Sequence, residues 1–137
     1  MKPSVFVDTN GLYALLVPED EQHAQAVSAL ARLRRAGGRA ITTDYILDET
    51  ATLLMSRSKH HVAVRLFQFM ENSEACEVVP VWPDHFIEAA DMFQRHGDKK
   101  YSFTDCSSFV VMKAHGLQDA LTSDQHFRIA GFHPLLG

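Results

Sequence analysis

The 137-residue sequence lacks most features of secreted and membrane proteins. It contains only two cysteines, Cys76 and Cys106, which are too few for a disulfide scaffold or a zinc site. Its apolar runs extend over only a few residues, so no segment is long enough to span a bilayer. The opening MKPSVFVDTN is too short and too acidic for a signal peptide. These absences predict a cytoplasmic protein with two free thiols and no membrane segment.

Glycine and proline are also scarce, at seven and five residues, which excludes a linker-like or collagen-like chain. Hydrophobic residues make up 46% of the sequence, enough for the core of one domain, which we expect over residues 1–137. The net charge of −4 argues against a generally basic surface for nucleic acid. Residues 32–65 nevertheless hold seven bases and three acids. This local surplus either faces phosphates or forms a solvated helix surface.

Short β-type runs alternate with longer helical patterns along the chain. We expect strands at 4–7, 39–42, 76–82 and 119–122, with a further candidate in the tail at 131–137. We expect helices at 11–17, 18–36, 44–57, 60–71, 83–96 and 104–115, the second of them opened by Pro18 and the acidic residues 19–21. Strands separated by helices of this length favour parallel crossovers. The sequence therefore predicts an α/β fold with a central, mostly parallel twisted sheet flanked by helices.

Two aspartates directly follow predicted strands. Asp8 comes after the first strand and Asp124 after the strand near 119–122. In open parallel sheets, functional groups gather at the carboxyl ends of strands, so both are candidates for an active site. The alternative is that each caps the helix that follows it, which taken singly is the better interpretation of both.

Glu49 is harder to explain as a surface residue. On the helix predicted at 44–57 it shares the stripe of Tyr45 and Leu53, which should face inward, whereas Asp48 belongs to the polar stripe. A carboxylate among apolar neighbours is costly unless it meets a cation or hydrogen-bond donors. Helix geometry alone therefore favours Glu49 over Asp48 as a functional residue.

Asp105 lies in the first turn of a helix whose register, with Phe109, is otherwise apolar. Ser102 or Thr104 can supply the helix cap, so Asp105 is less needed for that purpose, although it could still assist the cap.

Four carboxylates at one edge of a sheet would repel one another, and a bound divalent metal relieves that repulsion. Mg²⁺ and Mn²⁺ are hard cations that take oxygen ligands. Such clusters activate water and neutralise charge during phosphodiester cleavage. The eight histidines offer no rival site, because only His126 lies near the acidic cluster in the sequence.

Four segments together resemble a PIN-domain ribonuclease, in the order and spacing of that family and over nearly the whole chain. They are VFVDTNGLYALL, ILDETATLL, YSFTDCSSFVVMKAHGL and ALTSDQHF. The resemblance implies that the family's acidic catalytic and metal-binding positions are Asp8, Glu49, Asp105 and Asp124. It also matches Thr9, Asn10 and Ser123 to the family's polar residues beside the first and last acids, and we expect these three to bind substrate.

The size of the chain resembles the VapC-type toxins of toxin–antitoxin pairs. That likeness implies an endoribonuclease dependent on Mg²⁺ or Mn²⁺, a cognate antitoxin that reaches the carboxylates with an arginine, and a homodimer. An acidic site also needs bases to hold RNA, and the best sources are Arg57, Lys59, Arg65, Lys99 and Lys100. Single-stranded or looped RNA fits a concave pocket better than a duplex.

Several other functions remain open on sequence. The chain could be an RNA-processing PIN nuclease that is not a toxin, or a non-catalytic RNA-binding or protein-binding module, although the intact acidic quartet argues against a silent member. A receiver-type signalling module would need adjacent acids after the first strand, where Thr9 follows Asp8. A dehalogenase-like phosphatase would need a second aspartate where Asn10 stands.

Overall fold

Five short parallel strands form the sheet of a computed structural model that describes residues 2–72, 74 and 76–137. They are β1 (Ser4–Val7), β2 (Arg39–Thr43), β3 (Cys76–Val79), β4 (Asp119–Leu121) and β5 (His133–Pro134). Their order is β3-β2-β1-β4-β5, and all four pairings are parallel. The predicted α/β fold is confirmed. The chain winds outward from β1 through β2 and β3 and then returns to β4, which makes the β1–β4 boundary the topological switch point of the sheet.

Helices connect the strands and cover the sheet. They are α1 (Thr9–Leu16), α2 (His23–Arg35), α3 (Asp44–Ser56), α4 (His60–Asn72), α5 (Pro83–Arg95), α6 (Phe103–Ala114) and α7 (Gln125–Ile129), with a 3-10 turn at Gly97–Lys99. The first six match the sequence expectations to within a few residues at most ends. In the part of the chain that the structure describes, no helix is both long and apolar enough to cross a membrane.

Two details of the helices differ from the predictions. Helix α2 begins at His23 rather than at Pro18, because the acidic residues form turns in which the Asp20 carboxylate accepts a hydrogen bond from the Gln22 N–H. Helix α7 was not predicted, since five residues are too few to show a helical period.

The inward face of α2 is also narrower than the sequence suggested. Ala26 and Leu33 are buried, whereas Ala24 is exposed and Val27 is 44% exposed. The apolar pattern of the sequence predicts that Ala24, Val27, Leu30, Ala31 and Leu33 all face the core, and for Ala24 and Val27 this prediction is wrong. The helix lies at the periphery and buries a single stripe, and Val27 instead borders a shallow apolar groove with Phe69.

An aromatic core beneath the strand ends fixes the last two helices against the sheet. The rings of Phe109 on α6 and Phe127 on α7 meet edge to face, with centroids 4.9 Å apart, and Phe6 of β1 packs against Phe127. All three side chains are at most 2% exposed, and burying each contributes about 2 to 3 kcal/mol. Gly11 allows α1 to approach β4 closely, since a Cβ there would lie 1.9 Å from the carbonyl oxygen of Leu121. The elements that carry or adjoin Asp8, Asp105 and Asp124 are thus closely packed against one another.

Candidate active site

Asp8 lies at the carboxyl end of β1, at the switch point, and only 6% of it is exposed. It occupies the N-cap position of α1, but its side chain makes no cap hydrogen bond, so the capping interpretation is wrong for this residue. Instead, the Thr122 hydroxyl donates a hydrogen bond of 2.8 Å to Oδ2 of Asp8. Burial raises the pKa of Asp8 from 3.8 to about 7, against the lowering effect of the Thr122 hydrogen bond. Repulsion from Asp105 and Asp124 raises this pKa further.

Asp124 and Asp105 both cap helices while facing Asp8. Oδ1 of Asp124 accepts a hydrogen bond of 2.9 Å from the His126 N–H at the start of α7. Asp105 forms a capping box with Ser102: its N–H donates to the Ser102 hydroxyl, and its Oδ2 accepts from the Ser102 N–H at 3.1 Å. The prediction that Ser102 supplies the cap is confirmed, and Asp105 assists it, which the sequence left open. An ionised carboxylate has about four acceptor positions, so one capping bond leaves room for a metal.

Electrostatic effects show that Asp8, Asp105 and Asp124 act as a group. Burial raises the pKa of Asp105, and the charge of Asp124 raises it further. Asp105 and Asp124 in turn contribute to the raised pKa of Asp8. Three of the four predicted acids are therefore close enough for their charges to affect one another.

Glu49 joins the site through a hydrogen bond rather than through burial. The Thr9 hydroxyl donates to Oε1 of Glu49, which links α3 to the residue directly after Asp8. Glu49 and Asp48 are both exposed, so the prediction that Glu49 faces inward among apolar side chains is wrong. Only Glu49 of this pair makes a hydrogen bond to a candidate site residue within the described part of the chain.

His126 is closer to the acids than sequence reasoning could establish. Its Nδ1 lies 2.9 Å from Oδ1 of Asp124 and 4.0 Å from Oδ2 of Asp105. One potential ligand atom from each of these three residues lies within 4.8 Å of the others. The sequence signal for this residue was its position two residues after Asp124, in the first turn of a helix that was not predicted.

Two polar contacts hold the switch point together, and one was missed at the sequence level. The Asn10 side-chain oxygen accepts a hydrogen bond of 3.1 Å from the Ser123 N–H, so two predicted polar residues do meet. Thr122 was not singled out, although its hydroxyl also accepts a hydrogen bond from the Asp124 N–H at 3.1 Å. It is completely buried and bridges the acids at the ends of β1 and β4. A threonine between an apolar strand and an aspartate carries no distinctive pattern.

The predicted RNA-binding bases occupy different positions around the site. Arg57 follows α3, and its guanidinium lies 4.9 Å from the centre of the Tyr13 ring. It lines a cleft together with Asn10 and Ser123. Arg65 is exposed on α4, and Lys59 is partly buried just before that helix. The exposed Lys99 and Lys100 lie at the 3-10 turn before α6.

The arginines at 32–39 lie near the amino ends of the strands, whereas the candidate acids lie near the carboxyl ends. Arg32, Arg34 and Arg35 are in the last turn of α2, which precedes the amino end of β2, whereas the acids follow the carboxyl ends of β1 and β4. Arg39 is paired with Glu77 on the neighbouring strand. The basic surplus of residues 32–65 is therefore divided between two edges of the sheet.

The fold and the acidic group agree with comparisons to known proteins. The profile of the PIN domain family matches residues 5–132 of the chain. The chain belongs to the PIN domain family. The family resemblance predicted from the four sequence segments is thus confirmed.

Curated relatives of this PIN domain include VapC20 of Mycobacterium tuberculosis, named a 23S rRNA-specific endonuclease. In strains H37Rv and CDC 1551 it is 34% identical to the chain over 128 residues, which cover 93% of this chain and 95% of the relative. The similarity confirms the prediction of a VapC-type nuclease.

Solved structures show the same architecture. The crystal structure of M. tuberculosis VapC20, a sarcin–ricin loop cleaving toxin, superposes with a TM-score of 0.84 at 33% identity and covers 97% of this chain and 99% of that one. FitAcB of Neisseria gonorrhoeae superposes with a TM-score of 0.65 over 95% of both chains. At 17% identity, this second likeness shows the fold alone.

Proposed function

We propose that this PIN domain is a divalent-metal-dependent endoribonuclease, the toxin of a toxin–antitoxin pair, and that it cleaves a looped segment of ribosomal RNA. The catalytic and metal-binding residues of the proposal are Asp8, Glu49, Asp105 and Asp124. The observation that carries it is the convergence of three mutually repelling carboxylates at the switch point, one of them buried with its pKa raised to about 7. The substrate class is taken from the likeness to VapC20, a 23S rRNA-specific endonuclease.

The donors at this site suit Mg²⁺ or Mn²⁺. Carboxylate oxygens are the preferred ligands of these hard cations, and potential ligand atoms of Asp105, Asp124 and His126 lie within 4.8 Å of one another. A bound cation would neutralise negative charge that develops on the phosphate and make a coordinated water more acidic. The cluster then has a purpose that offsets the cost of gathering like charges.

The protein groups around the acids orient them. The Thr122 hydroxyl fixes one oxygen of Asp8, and the Thr9 hydroxyl fixes one oxygen of Glu49. The capping bonds of Asp105 and Asp124 set the rotamers of those side chains, so little reorganisation is needed when substrate binds. The hydrogen bond from the Ser123 N–H to Asn10 links the segment after β4 to the first turn of α1.

Basic residues around the rim would hold the RNA. We assign Arg57, Lys59, Arg65, Lys99 and Lys100 to this role because they lie outside the carboxylate group. Attraction of phosphates to the four bases other than Arg57 can offset repulsion by the acids. Single-stranded or looped RNA can bend its backbone into a recessed site, which a stiff duplex cannot do.

The proposal includes protein partners and a cellular location. A cognate antitoxin would silence the site by placing an arginine on the carboxylates as a bidentate plug. A homodimer is supported by exposed apolar side chains on and next to α5, namely Trp82, Phe86, Ile87 and Phe93. We also propose that residues 1–137 act as one domain, and that the toxin works in the cytoplasm, where ribosomal RNA is found.

The experiment is an RNA cleavage assay with purified protein and a hairpin that carries the sarcin–ricin loop sequence. We expect cleavage with Mg²⁺ or Mn²⁺ and none in EDTA. Asp8→Asn should abolish cleavage, whereas Asp48→Asn, an exposed acid outside the cluster, should leave it unchanged. Cleavage that persists in EDTA or in Asp8→Asn would contradict the proposal.

A further inference from the structure

A cleft of about 240 Å³ opens beside the candidate active site. Its lining includes Asn10 and Ser123, the hydrogen-bonded pair at the switch point. From there it extends past Tyr13 and Arg57 to the acidic turn before α2. An RNA strand whose phosphate lies on the carboxylates would therefore place a neighbouring nucleotide at this cleft.

Arg57 is the one cation among the residues that line the cleft. Its guanidinium carbon lies over the buried Tyr13 ring, 4.9 Å from the ring centre, in a cation–π contact that restrains the guanidinium. Arg57 is exposed, and its side chain makes no hydrogen bond or ion pair among the described residues. A guanidinium plane held in this way is a platform on which a nucleobase can stack.

The lining of the cleft also includes two carboxylates, which favours a nucleobase over a phosphate as the occupant. Asp20 and Glu21 line the cleft, so the two carboxylates outnumber the single cation Arg57. A phosphate would be repelled by this excess of negative charge. A nucleobase is neutral, and its edge carries N–H groups that a carboxylate accepts well. The Gln22 N–H donates to Oδ2 of Asp20, and no group among the described residues donates to Oδ1, so Oδ1 can make such a contact.

We propose that this cleft binds one unstacked nucleobase of the RNA, next to the phosphate that is cleaved. Its face stacks on Arg57 and its donor edge meets Asp20 and Glu21. Guanine fits best, because its Watson–Crick edge presents two adjacent donors, the N1–H and the exocyclic amino group. This inference rests on the proposed ribonuclease function and adds a specificity pocket to it.

The test measures RNA binding to the inactive Asp8→Asn variant, so that cleavage does not interfere. A short single-stranded RNA substrate is scanned with an abasic residue at each position, and each guanosine is also replaced by inosine, which lacks the amino group. One abasic position should weaken binding about tenfold, as expected for the loss of one stacked base. Inosine at that position should weaken binding by a smaller factor.

Variants of the cleft separate stacking from charge. Arg57→Lys keeps the charge but loses the plane, so it should weaken binding of intact RNA and leave binding of the abasic RNA unchanged. Asp20→Asn should reduce the difference between guanosine and inosine. Arg35→Lys, a matched change at an exposed arginine in the last turn of α2, outside the cleft and away from the acids, should have neither effect.

The possible outcomes distinguish this inference from the function on which it rests. If the wild-type protein cleaves RNA but Arg57→Lys weakens intact and abasic RNA equally, Arg57 contacts phosphate and the nucleobase pocket is wrong. A scan in which no abasic position matters would overturn it as well. If the wild-type protein cleaves no RNA with either metal, the proposed function itself fails.

Discussion

Replacing Asp8 by asparagine should stabilise the metal-free protein at neutral and alkaline pH. Asparagine has nearly the same shape and can still accept the hydrogen bond from Thr122. It carries no charge, so it removes both the burial of a carboxylate and its repulsion with Asp105 and Asp124. The same substitution should abolish catalysis, so stability and activity should change in opposite directions, as expected when a site is strained for function.

The magnitude follows from the pKa of Asp8, which rises from 3.8 to about 7 on folding. Between these values the folded state keeps a proton that the unfolded state has lost, so stability falls as pH rises through this window and levels off above it. At about 1.4 kcal/mol per tenfold change in proton affinity, the full effect is roughly 4 kcal/mol. Relaxation and water entry reduce the cost of a buried charge, so we expect at least about 2 kcal/mol by pH 8.

The assay is thermal and urea unfolding of both proteins in EDTA, from pH 4 to pH 8.5. The advantage of Asp8→Asn should grow between pH 4 and pH 7 and then stay constant. For a chain of this length, 2 kcal/mol corresponds to about 8 °C in melting temperature. Millimolar Mn²⁺ should stabilise the wild-type protein by mass action and stabilise the variant much less.

Asp48→Asn is the matched control for this experiment, because it removes an exposed acid. Its stability difference from the wild type should not change across the pH range. If the difference between Asp8→Asn and the wild type is equally flat, the carboxyl of Asp8 is not perturbed. The assignment of a buried, repelling carboxylate at the switch point would then be wrong.

Three further predictions concern the residues around the acids. Thr122→Val should lower cleavage at least tenfold, because it removes the hydrogen-bond donor to Asp8. Thr50 is a buried threonine that bonds within α3, so Thr50→Val should leave the activity of the folded protein unchanged. Turnover measured together with a melting curve distinguishes a loss of activity from a loss of folded protein. Glu49→Gln should abolish cleavage and Asp48→Asn should not, and equal effects in the cleavage assay would contradict the placement of Glu49 by Thr9. His126→Asn should weaken stabilisation by Mn²⁺ more than stabilisation by Mg²⁺, because imidazole is a better ligand for transition metals. If the substitution reduces the melting-temperature shifts caused by the two metals equally, His126 is not a metal ligand.

The sequence predicted the fold well because its signals are local. The strands β1 to β4 are short β-type runs. Each connection between them contains at least one helix of more than ten residues, and a connection of that length favours a parallel crossover. Asp8 and Asp124 could be placed together because the carboxyl ends of parallel strands share one edge. Elements too short to show a period, such as α7, had no comparable signal.

The features that the sequence did not predict depend on contacts between distant residues. Thr122 matters because of Asp8, 114 positions earlier in the chain. The cleft exists because Arg57, after α3, lies over Tyr13 of α1, and the acidic turn before α2 closes it. No periodicity or composition records such a pairing, since each residue alone has an ordinary surface or core explanation.

The helix caps show why a single interpretation of an acidic residue can mislead. Capping and metal binding were treated as alternatives for Asp105 and Asp124, yet each carboxylate makes a capping bond and still faces the acidic group. Backbone N–H groups at a helix start favour negative charge, so the caps reduce the cost of keeping these two acids ionised near each other. Asp8 is more deeply buried, and desolvation outweighs the hydrogen bonds of the Thr122 hydroxyl and the Thr9 backbone, so its pKa rises to about 7. Asp105 and Asp124 accept capping hydrogen bonds, whereas Asp8 is buried without one. The charge of Asp8 therefore depends most on a bound cation.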